Sequence, residues 1–379
     1  MKVVCAVDSL KGSLTSLQAG HAIRDGILRV YQDAQVVVHP IADGGEGTVD
    51  ALVDGLGGVR RAVTVTGPLG EKITAEYGII PGNTAVIEIS AAAGITLVPS
   101  EKRNPMHTTT YGVGELILDA AKAGCRNFII GIGGSATNDG GVGMLQALGF
   151  GFLDENGAQI AFGAQGLENL CEIADVGAHP KLSECTFHVA CDVINPLCGK
   201  QGCSAIYGPQ KGADDKMIFQ MDGWLSHYAT LAEARNPHAD RNTPGAGAAG
   251  GLGFAFLSFL RGKLQNGIEL ILTETDLESD IRDADVVVTG EGRLDAQTVM
   301  GKAPIGVAKI AQKYDIPTIA FSGAAIEEAR VCNDHGIDAY FPILRTVCTL
   351  DEALNAKNAY RNMADTAEQA FRLMRRVIR

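Results

Sequence analysis

The sequence predicts an α/β protein with a mostly parallel sheet, into which a second, mixed α/β domain is inserted. Short apolar runs alternate with helical patterns near both ends of the chain, as at Val3–Val7 and Val286–Thr289, which is typical of a parallel sheet. Between residues 59 and 98, strands that alternate apolar with polar residues are separated by glycine and proline turns. At 379 residues the chain can hold two domains, since single cores stop growing at about 250–300 residues.

Each element follows from its own pattern. The helix after the first strand shows apolar residues at helical spacing, from Leu17 to Val30. Residues 235–248 are rich in Asn, Pro, Gly and Ala, which predicts a loop or hinge. The expected domains are 1–58 plus 255–379, and the inserted 59–254. The predicted strands are 3–7, 36–38, 59–66, 72–80, 84–90, 127–131, 187–191, 286–289 and 318–321, and the predicted helices are 16–30, 48–56, 111–123, 141–148, 217–233, 254–260, 304–314 and 350–377.

Composition excludes several classes of protein. A net charge of −12 argues against nucleic acid, which calls for a basic patch. We expect no membrane span and no signal peptide, because no run of about 18 apolar residues occurs. Nine scattered cysteines indicate reduced thiols and a cytoplasmic location. Four of them cluster without Cys-x-x-Cys spacing, so we do not expect structural zinc: Cys185, Cys191, Cys198 and Cys203.

Four apolar runs lead into turns that combine glycine with carboxylates or lysine. Ligands of open α/β sheets bind at such turns, outside the carboxyl ends of the strands. Glycines let backbone amides approach an anion, and the following helix N-terminus favours negative charge. Carboxylates in the same turns would repel a bare phosphate unless a divalent cation lies between them. The turns therefore indicate a nucleotide–metal site, and they are Asp8–Gly12, Asp43–Gly47, Gly131–Gly141 and Gly290–Asp295.

The third turn is the strongest single segment. Its glycines alone would suit a tight turn that serves only packing, but the polar run within it favours contact with phosphate. Asp139 would then lie near the reacting groups. Three lysines also stand in turns and form a plausible phosphate set, although a single lysine is usually a solvated charge. They are Lys11, Lys211 and Lys302.

Familiar nucleotide motifs are absent or weak. Gly245–Gly250 matches G-x-G-x-x-G, but no strand precedes it, so a glycine hinge is at least as good an interpretation. No P-loop occurs. Two alternatives remain open on the residues alone. One is a nicotinamide-dependent hydroxy-acid dehydrogenase, and the other is a non-catalytic module that senses a nucleotide or sugar acid.

Taken together, the segments resemble the bacterial glycerate kinase family, of the class I type. The resemblance covers essentially the whole chain, in order and at family spacing. It is carried by Asp8–Leu14, Pro40–Thr48, Glu101–Pro105, Gly131–Thr137, Ala190–Leu197, Gly208–Ala213, Thr289–Asp295 and Gly301–Ala308.

This resemblance implies an ATP-dependent kinase that phosphorylates D-glycerate, a small-molecule substrate, with Mg²⁺, usually to 2-phosphoglycerate. It also implies two α/β domains, one flavodoxin-like and discontinuous, with the site in the cleft between them. The sequence leaves the oligomeric state open, with a homodimer as one option.

On this basis we assign candidate roles by chemistry. Asp192 or Asp139 would accept the hydroxyl proton, and Lys11 would assist catalysis by neutralising charge. The phosphates would be bound by Gly133, Gly134, Ser135, Thr137, Lys211 and Lys302. Glycerate would contact Ser9, with Arg103 or Arg293 clamping its carboxylate, and Mg²⁺ would be held by carboxylates among Asp43, Glu46, Glu291 and Asp295.

Overall fold

A computed structural model of the chain describes residues 1–45, 47–175 and 177–377. Contacts divide the chain into two compact units. The first consists of Met1–Asp43, Asp50–Gly57 and Ile268–Arg379, and the second of Gly44–Val49 and Gly58–Gly267. Residues 255–267 thus pack with the second unit, whereas the sequence-based boundary placed them in the first.

Helices and strands alternate over much of the described chain. The strands are β1 (Lys2–Val7), β2 (Gln35–Pro40), β3 (Val59–Thr66), β4 (Lys72–Ile80), β5 (Thr84–Glu88), β6 (Asn127–Gly131), β7 (Gly151–Leu153), β8 (Glu172–Ala174), β9 (Thr186–Ala190), β10 (Lys263–Gln265), β11 (Val286–Leu294), β12 (Thr318–Ala325) and β13 (Ala339–Pro342). The α-helices are α1 (Ser16–Leu28), α2 (Thr48–Leu56), α3 (Ser90–Ala93), α4 (Tyr111–Lys122), α5 (Val142–Ala147), α6 (Cys203–Tyr207), α7 (Asp215–Arg235), α8 (Ala248–Leu260), α9 (Gly267–Glu274), α10 (Leu277–Ile281), α11 (Ala303–Gln312), α12 (Leu350–Leu354) and α13 (Ala356–Val377).

The first unit is built on a parallel five-stranded sheet in the order β2-β1-β11-β12-β13. Counted along this unit alone, the order is 2-1-3-4-5, which is the flavodoxin-like arrangement. The strand order reverses between β1 and β11, where Val7 pairs with Gly290. Residues of β1 alternate between two cores, with Cys5 packing among side chains of α1 and α13, and Ala6 among those of α9 and α11. The flavodoxin-like, discontinuous character expected of this part of the chain is confirmed.

The second unit contains a mixed six-stranded sheet in the order β10-β9-β6-β5-β4-β3. Strands β5, β6, β9 and β10 are parallel, while β3, β4 and β5 pair antiparallel. The antiparallel hairpins predicted between residues 59 and 90 are therefore confirmed. Glu88, Gly131 and Ala190 end three adjacent parallel strands, so the turns that follow them share one edge of the sheet.

Several short elements were not predicted. The strands β10 and β13 have three and four residues, too few for a periodic pattern. Three successive left-handed residues, Ala249, Gly250 and Gly251, interrupt α8 near its start, so its regular helix begins after Gly251, close to the predicted residue 254. The segment before the Gly245–Gly250 motif contains turns and no strand, so the motif lacks the context of a dinucleotide fingerprint. Among the described residues, no helix has the length and apolar character needed to cross a membrane.

Gly250 allows a direct test of how the start of α8 packs against the turn that follows β6. It has φ +70°, and a Cβ there would lie 2.0 Å from the carbonyl oxygen of Thr137. We expect Gly250→Ala to lower the free energy of unfolding by about 1–3 kcal/mol, because the carbonyl and the left-handed backbone must both adjust. The matched change Gly223→Ala lies in an exposed turn of α7 with nothing within 4 Å, so it should raise stability by about 0.5–1 kcal/mol. Denaturant unfolding measures both, and a Gly250→Ala variant as stable as the wild type would contradict the packing.

Candidate active site

The turn after β6 exposes backbone amides at the carboxyl edge of the second unit's sheet. Gly133 and Gly134 are exposed, and Gly134 has φ +71°. Within the described part of the chain, neither N–H donates to a protein acceptor. Neighbouring free amides in such a turn form a concave anion-binding surface. This turn can therefore accept an anionic oxygen without displacing a protein contact.

Lys211 lies against the same turn from a separate segment, at the end of the short 3₁₀ helix Pro209–Lys211. Its side chain is buried, and its Nζ donates to Ser135 Oγ (2.8 Å) and to the Thr137 carbonyl oxygen (2.6 Å). Burial lowers the pKa of Lys211 to about 8, and the nearby carboxylate of Asp139 opposes that shift. Both hydrogen-bonding partners are neutral oxygens, so the cation is held close to an anion-accepting turn without being neutralised by direct pairing.

Asp139 is buried and holds the turn together. Its carboxylate accepts hydrogen bonds from the N–H and Oγ1 of Thr110 (both 2.8 Å), and from the N–H groups of Gly141 (3.1 Å) and Gly143 (3.3 Å). Burial raises the pKa of Asp139, although all four hydrogen bonds favour the charged form. Thr110 was not singled out in the sequence, because nothing in the spacing places it beside residue 139.

Three buried polar groups around Lys211 have no hydrogen-bond partner in the described structure: Thr137 Oγ1, Asn138 Oδ1 and Arg103 Nε. A Cβ on Gly212 would lie 2.2 Å from the Arg103 carbonyl oxygen, so the backbone of Arg103 lies against the residue next to Lys211. An unsatisfied buried group costs about 1–3 kcal/mol, which water or a ligand can offset. The structure thus joins Ser135, Thr137 and Lys211 by hydrogen bonds, and places the backbone of Arg103 against Gly212.

Asp192 follows β9, the strand beside β6. It is exposed, and its Oδ1 accepts hydrogen bonds from Asn266 Nδ2 (2.9 Å) and from the Gly267 N–H (3.0 Å). These contacts link the ends of β9 and β10. Asp192 therefore lies at the same sheet edge as the glycine turn.

In the first unit, charged residues at the end of β11 form a compact group. Lys302 Nζ lies 3.5 Å from Glu291 Oε2 and 3.9 Å from Asp295 Oδ1. Burial raises the pKa of Glu291, although the Thr298 hydroxyl and Lys302 favour its ionised form. The pKa of Asp295 is lowered on balance, because the Gln297 amide, Lys302 and Arg293 outweigh its burial. The guanidinium of Arg293 is already paired with Asp295 Oδ2 at 3.0 Å.

Asp8 follows β1 at the point where the strand order of this sheet reverses. Its N–H donates to the Gly290 carbonyl oxygen (2.9 Å), and the Ser9 N–H donates to its Oδ1 (2.6 Å). Burial and the charges of Asp43 and Glu291 raise its pKa to about 7, while the Ser9 amide and Lys11 oppose the rise. The sequence placed Asp8 in a candidate turn but assigned it no role. Its burial beside other carboxylates could not be read from spacing.

The carboxylates of the first unit have the oxygen donors that Mg²⁺ prefers. Glu46 lies outside the described residues, and among those described no group of three His, Cys, Asp or Glu side chains is placed to hold a metal. Mg²⁺ usually takes one or two carboxylates and completes its shell with water and substrate phosphate, so Asp43 and Glu291 fit that need. Thr289 Oγ1 and Ser322 Oγ, on β11 and β12, are buried and have no hydrogen-bond partner among the described residues.

The buried charge of Lys211 predicts a distinctive pH dependence of stability. Folding lowers its pKa, so between about pH 8 and the ordinary value of 10.5 the unfolded chain binds more protons, and stability rises with pH through that window. We expect the free energy of unfolding of the wild type, relative to Lys211→Met, to increase by about 2 kcal/mol from pH 8 to pH 10. Lys216→Met removes an exposed lysine and should show no such change. A pH-independent difference for Lys211→Met would contradict the buried, titrating ammonium.

Comparisons with known proteins show the family of the chain. The family model described as the glycerate kinase family matches residues 3–375. The chain is 50% identical to the glycerate 2-kinase of Escherichia coli (strain K12), over 97% of this chain and 98% of that protein. It is 49% identical to the glycerate kinase of Haemophilus influenzae, over 99% of each chain. The crystal structure described as glycerate kinase 2 from Salmonella typhimurium LT2 matches with a TM-score of 0.92 and 46% identity, over 99% of this chain and 98% of that chain. The chain therefore belongs to the glycerate kinase family.

Proposed function

We propose that the protein phosphorylates D-glycerate with ATP and Mg²⁺, and that the products are 2-phospho-D-glycerate and ADP. The observation that carries this proposal is the buried Lys211 ammonium beside the exposed amides of Gly133 and Gly134, in a chain of this family. The position of phosphorylation is supported by the name of the E. coli relative, a glycerate 2-kinase. A cytoplasmic location is part of the proposal and is supported by nine free cysteines.

The second unit would bind the phosphates of the nucleotide. For phosphoryl transfer the protein must position the reactants and stabilise charge, and no covalent intermediate with the protein is needed. The amides of Gly133 and Gly134 would donate to phosphate oxygens, and Lys211 would supply positive charge. Ser135 and Thr137 orient that ammonium through their oxygens. Because Lys211 is already held by these contacts, little reorganisation would be needed when charge develops on the transferred group.

The first unit supplies the remaining candidate groups. Lys11 and Lys302 would neutralise charge, and Ser9 would bind glycerate beside Asp8. The substrate carboxylate would be clamped by Arg103 or Arg293, and Arg293 would have to exchange its contact with Asp295 to do so. When bound, Mg²⁺ would neutralise charge on the phosphates. Asp43 and Glu291, with Asp295 further along the turn, are the described carboxylates proposed to hold it.

The proposal is tested by ADP release. Purified protein with Mg-ATP should release ADP only when D-glycerate is present, and EDTA should abolish the reaction. A second assay couples the product to enolase with no phosphoglycerate mutase present, so that only 2-phosphoglycerate gives a signal. ADP release without an enolase signal would overturn the assigned hydroxyl and leave the kinase class intact. No ADP release with D-glycerate, but turnover of another hydroxy acid, would overturn the substrate.

A further inference from the structure

We propose that Asp8 is the catalytic residue that accepts the hydroxyl proton of the acceptor substrate. The inference rests on the proposed function and deepens it, because it selects a carboxylate that the sequence left without a role. It follows from the position of Asp8, from the number of hydrogen bonds that its carboxylate accepts, and from the surroundings of the two other candidate bases.

The position of Asp8 is fixed by the sheet. It directly follows β1, and its N–H donates to the carbonyl oxygen of Gly290 in β11. The strand order reverses between these two strands, and open α/β sheets bind ligands outside the carboxyl ends of strands at such a point. A group held by two central strands keeps its orientation, as a base must to reach one particular hydroxyl.

The carboxylate of Asp8 is buried but only partly engaged. The residue is 6% exposed, and among the described residues its carboxylate accepts one hydrogen bond, from the backbone N–H of Ser9. The charged groups that face it are Asp43 and Glu291, which disfavour ionisation, and Lys11, which favours it. The remaining lone pairs of this carboxylate can therefore accept the proton of a substrate hydroxyl.

The two bases expected from the sequence have different surroundings. Asp139 accepts four hydrogen bonds and is 1% exposed, so its oxygens are already used to hold the glycine turn. Asp192 is exposed at the surface and accepts two hydrogen bonds that join the ends of β9 and β10. Burial raises the pKa of Asp139, and an exposure of 1% leaves a substrate hydroxyl little access to its carboxylate. Asp8 combines burial with remaining acceptor capacity.

The chemical step balances with ATP as donor. The hydroxyl oxygen of glycerate forms a bond to the γ-phosphorus, and its proton moves to the Asp8 carboxylate. The bond between the γ-phosphorus and the bridging oxygen breaks, and its electron pair leaves with ADP. Asp8 then returns the proton to solvent. No oxidant or further reactant is required.

The test compares Asp8→Asn with Asp33→Asn, which removes an exposed carboxylate before β2. We expect Asp8→Asn to lower kcat by about 10²–10⁴, the usual contribution of a general base, with the KM for ATP changed by less than about threefold. Asp33→Asn should match the wild type.

Other outcomes separate this inference from the proposed function. If the wild type does not phosphorylate D-glycerate, the proposed function fails. If the wild type is active and Asp8→Asn keeps at least a third of its kcat, Asp8 is not the base. Full recovery of Asp8→Asn at high Mg²⁺ would also overturn the proposal, since Asp8 would then hold metal. Should Asp8→Asn fail to fold, Asp8→Ser decides, because a folded Asp8→Ser variant that keeps at least a third of the wild-type kcat excludes Asp8 as the base.

Discussion

The parallel pairing of β1 with β11 is the constraint on which the first unit depends. It joins the N-terminal strand to a strand from the last third of the chain, with Val3 beside Val286 and Val7 beside Gly290. This single register brings the Asp8 turn and the Glu291 turn to one edge of the sheet. The pairing of β11 with β12 requires glycine at position 290, because a Cβ there would lie 1.9 Å from the carbonyl oxygen of Phe321. The position of β11 in the sheet thus also determines where the charged groups of the Glu291 turn lie.

Burial then shifts the pKa values of the charged groups. Removing an ionisable group from water disfavours its charged form, which raises the pKa of Asp8 and lowers that of Lys211 toward neutrality. The energetic cost of burying them is offset by the packing of the two units around their sheets, including the core that contains Phe128 and Tyr228 in the second unit. Groups placed in this way respond to small changes in nearby charge, as phosphoryl transfer requires.

Much of the fold could be predicted from the sequence, because its long strands are continuous apolar runs and its hairpins alternate apolar with polar residues. The apolar run of β1 and the alternating pattern of β4 were each sufficient to predict a strand. The short strands β10 and β13 could not be predicted, since they exist only by pairing with β9 and β12.

The same distinction applies to the candidate site. Glycine turns with polar residues indicated Ser135, Thr137 and Lys211, and the structure joins them by hydrogen bonds. The sequence could not show that Thr110 donates a hydrogen bond to the carboxylate of Asp139, because the two residues are 29 positions apart and meet only through tertiary packing. The raised pKa of Asp8 likewise depends on burial and on Asp43 and Glu291, which are distant in sequence and become neighbours only in the folded structure.

The central claim is that the substrates bind to the glycine turns that follow the carboxyl ends of the parallel strands in the two sheets. Amide hydrogen exchange, measured with and without Mg-ATP and D-glycerate, tests it most directly. The account predicts slower exchange with ligands in the peptides that cover Asp8–Gly12, Gly131–Gly141 and Gly290–Asp295, with little change at the amino-terminal edges of the same strands. Protection confined to those amino-terminal edges, or no protection of any of the three turns at saturating ligand, would contradict it.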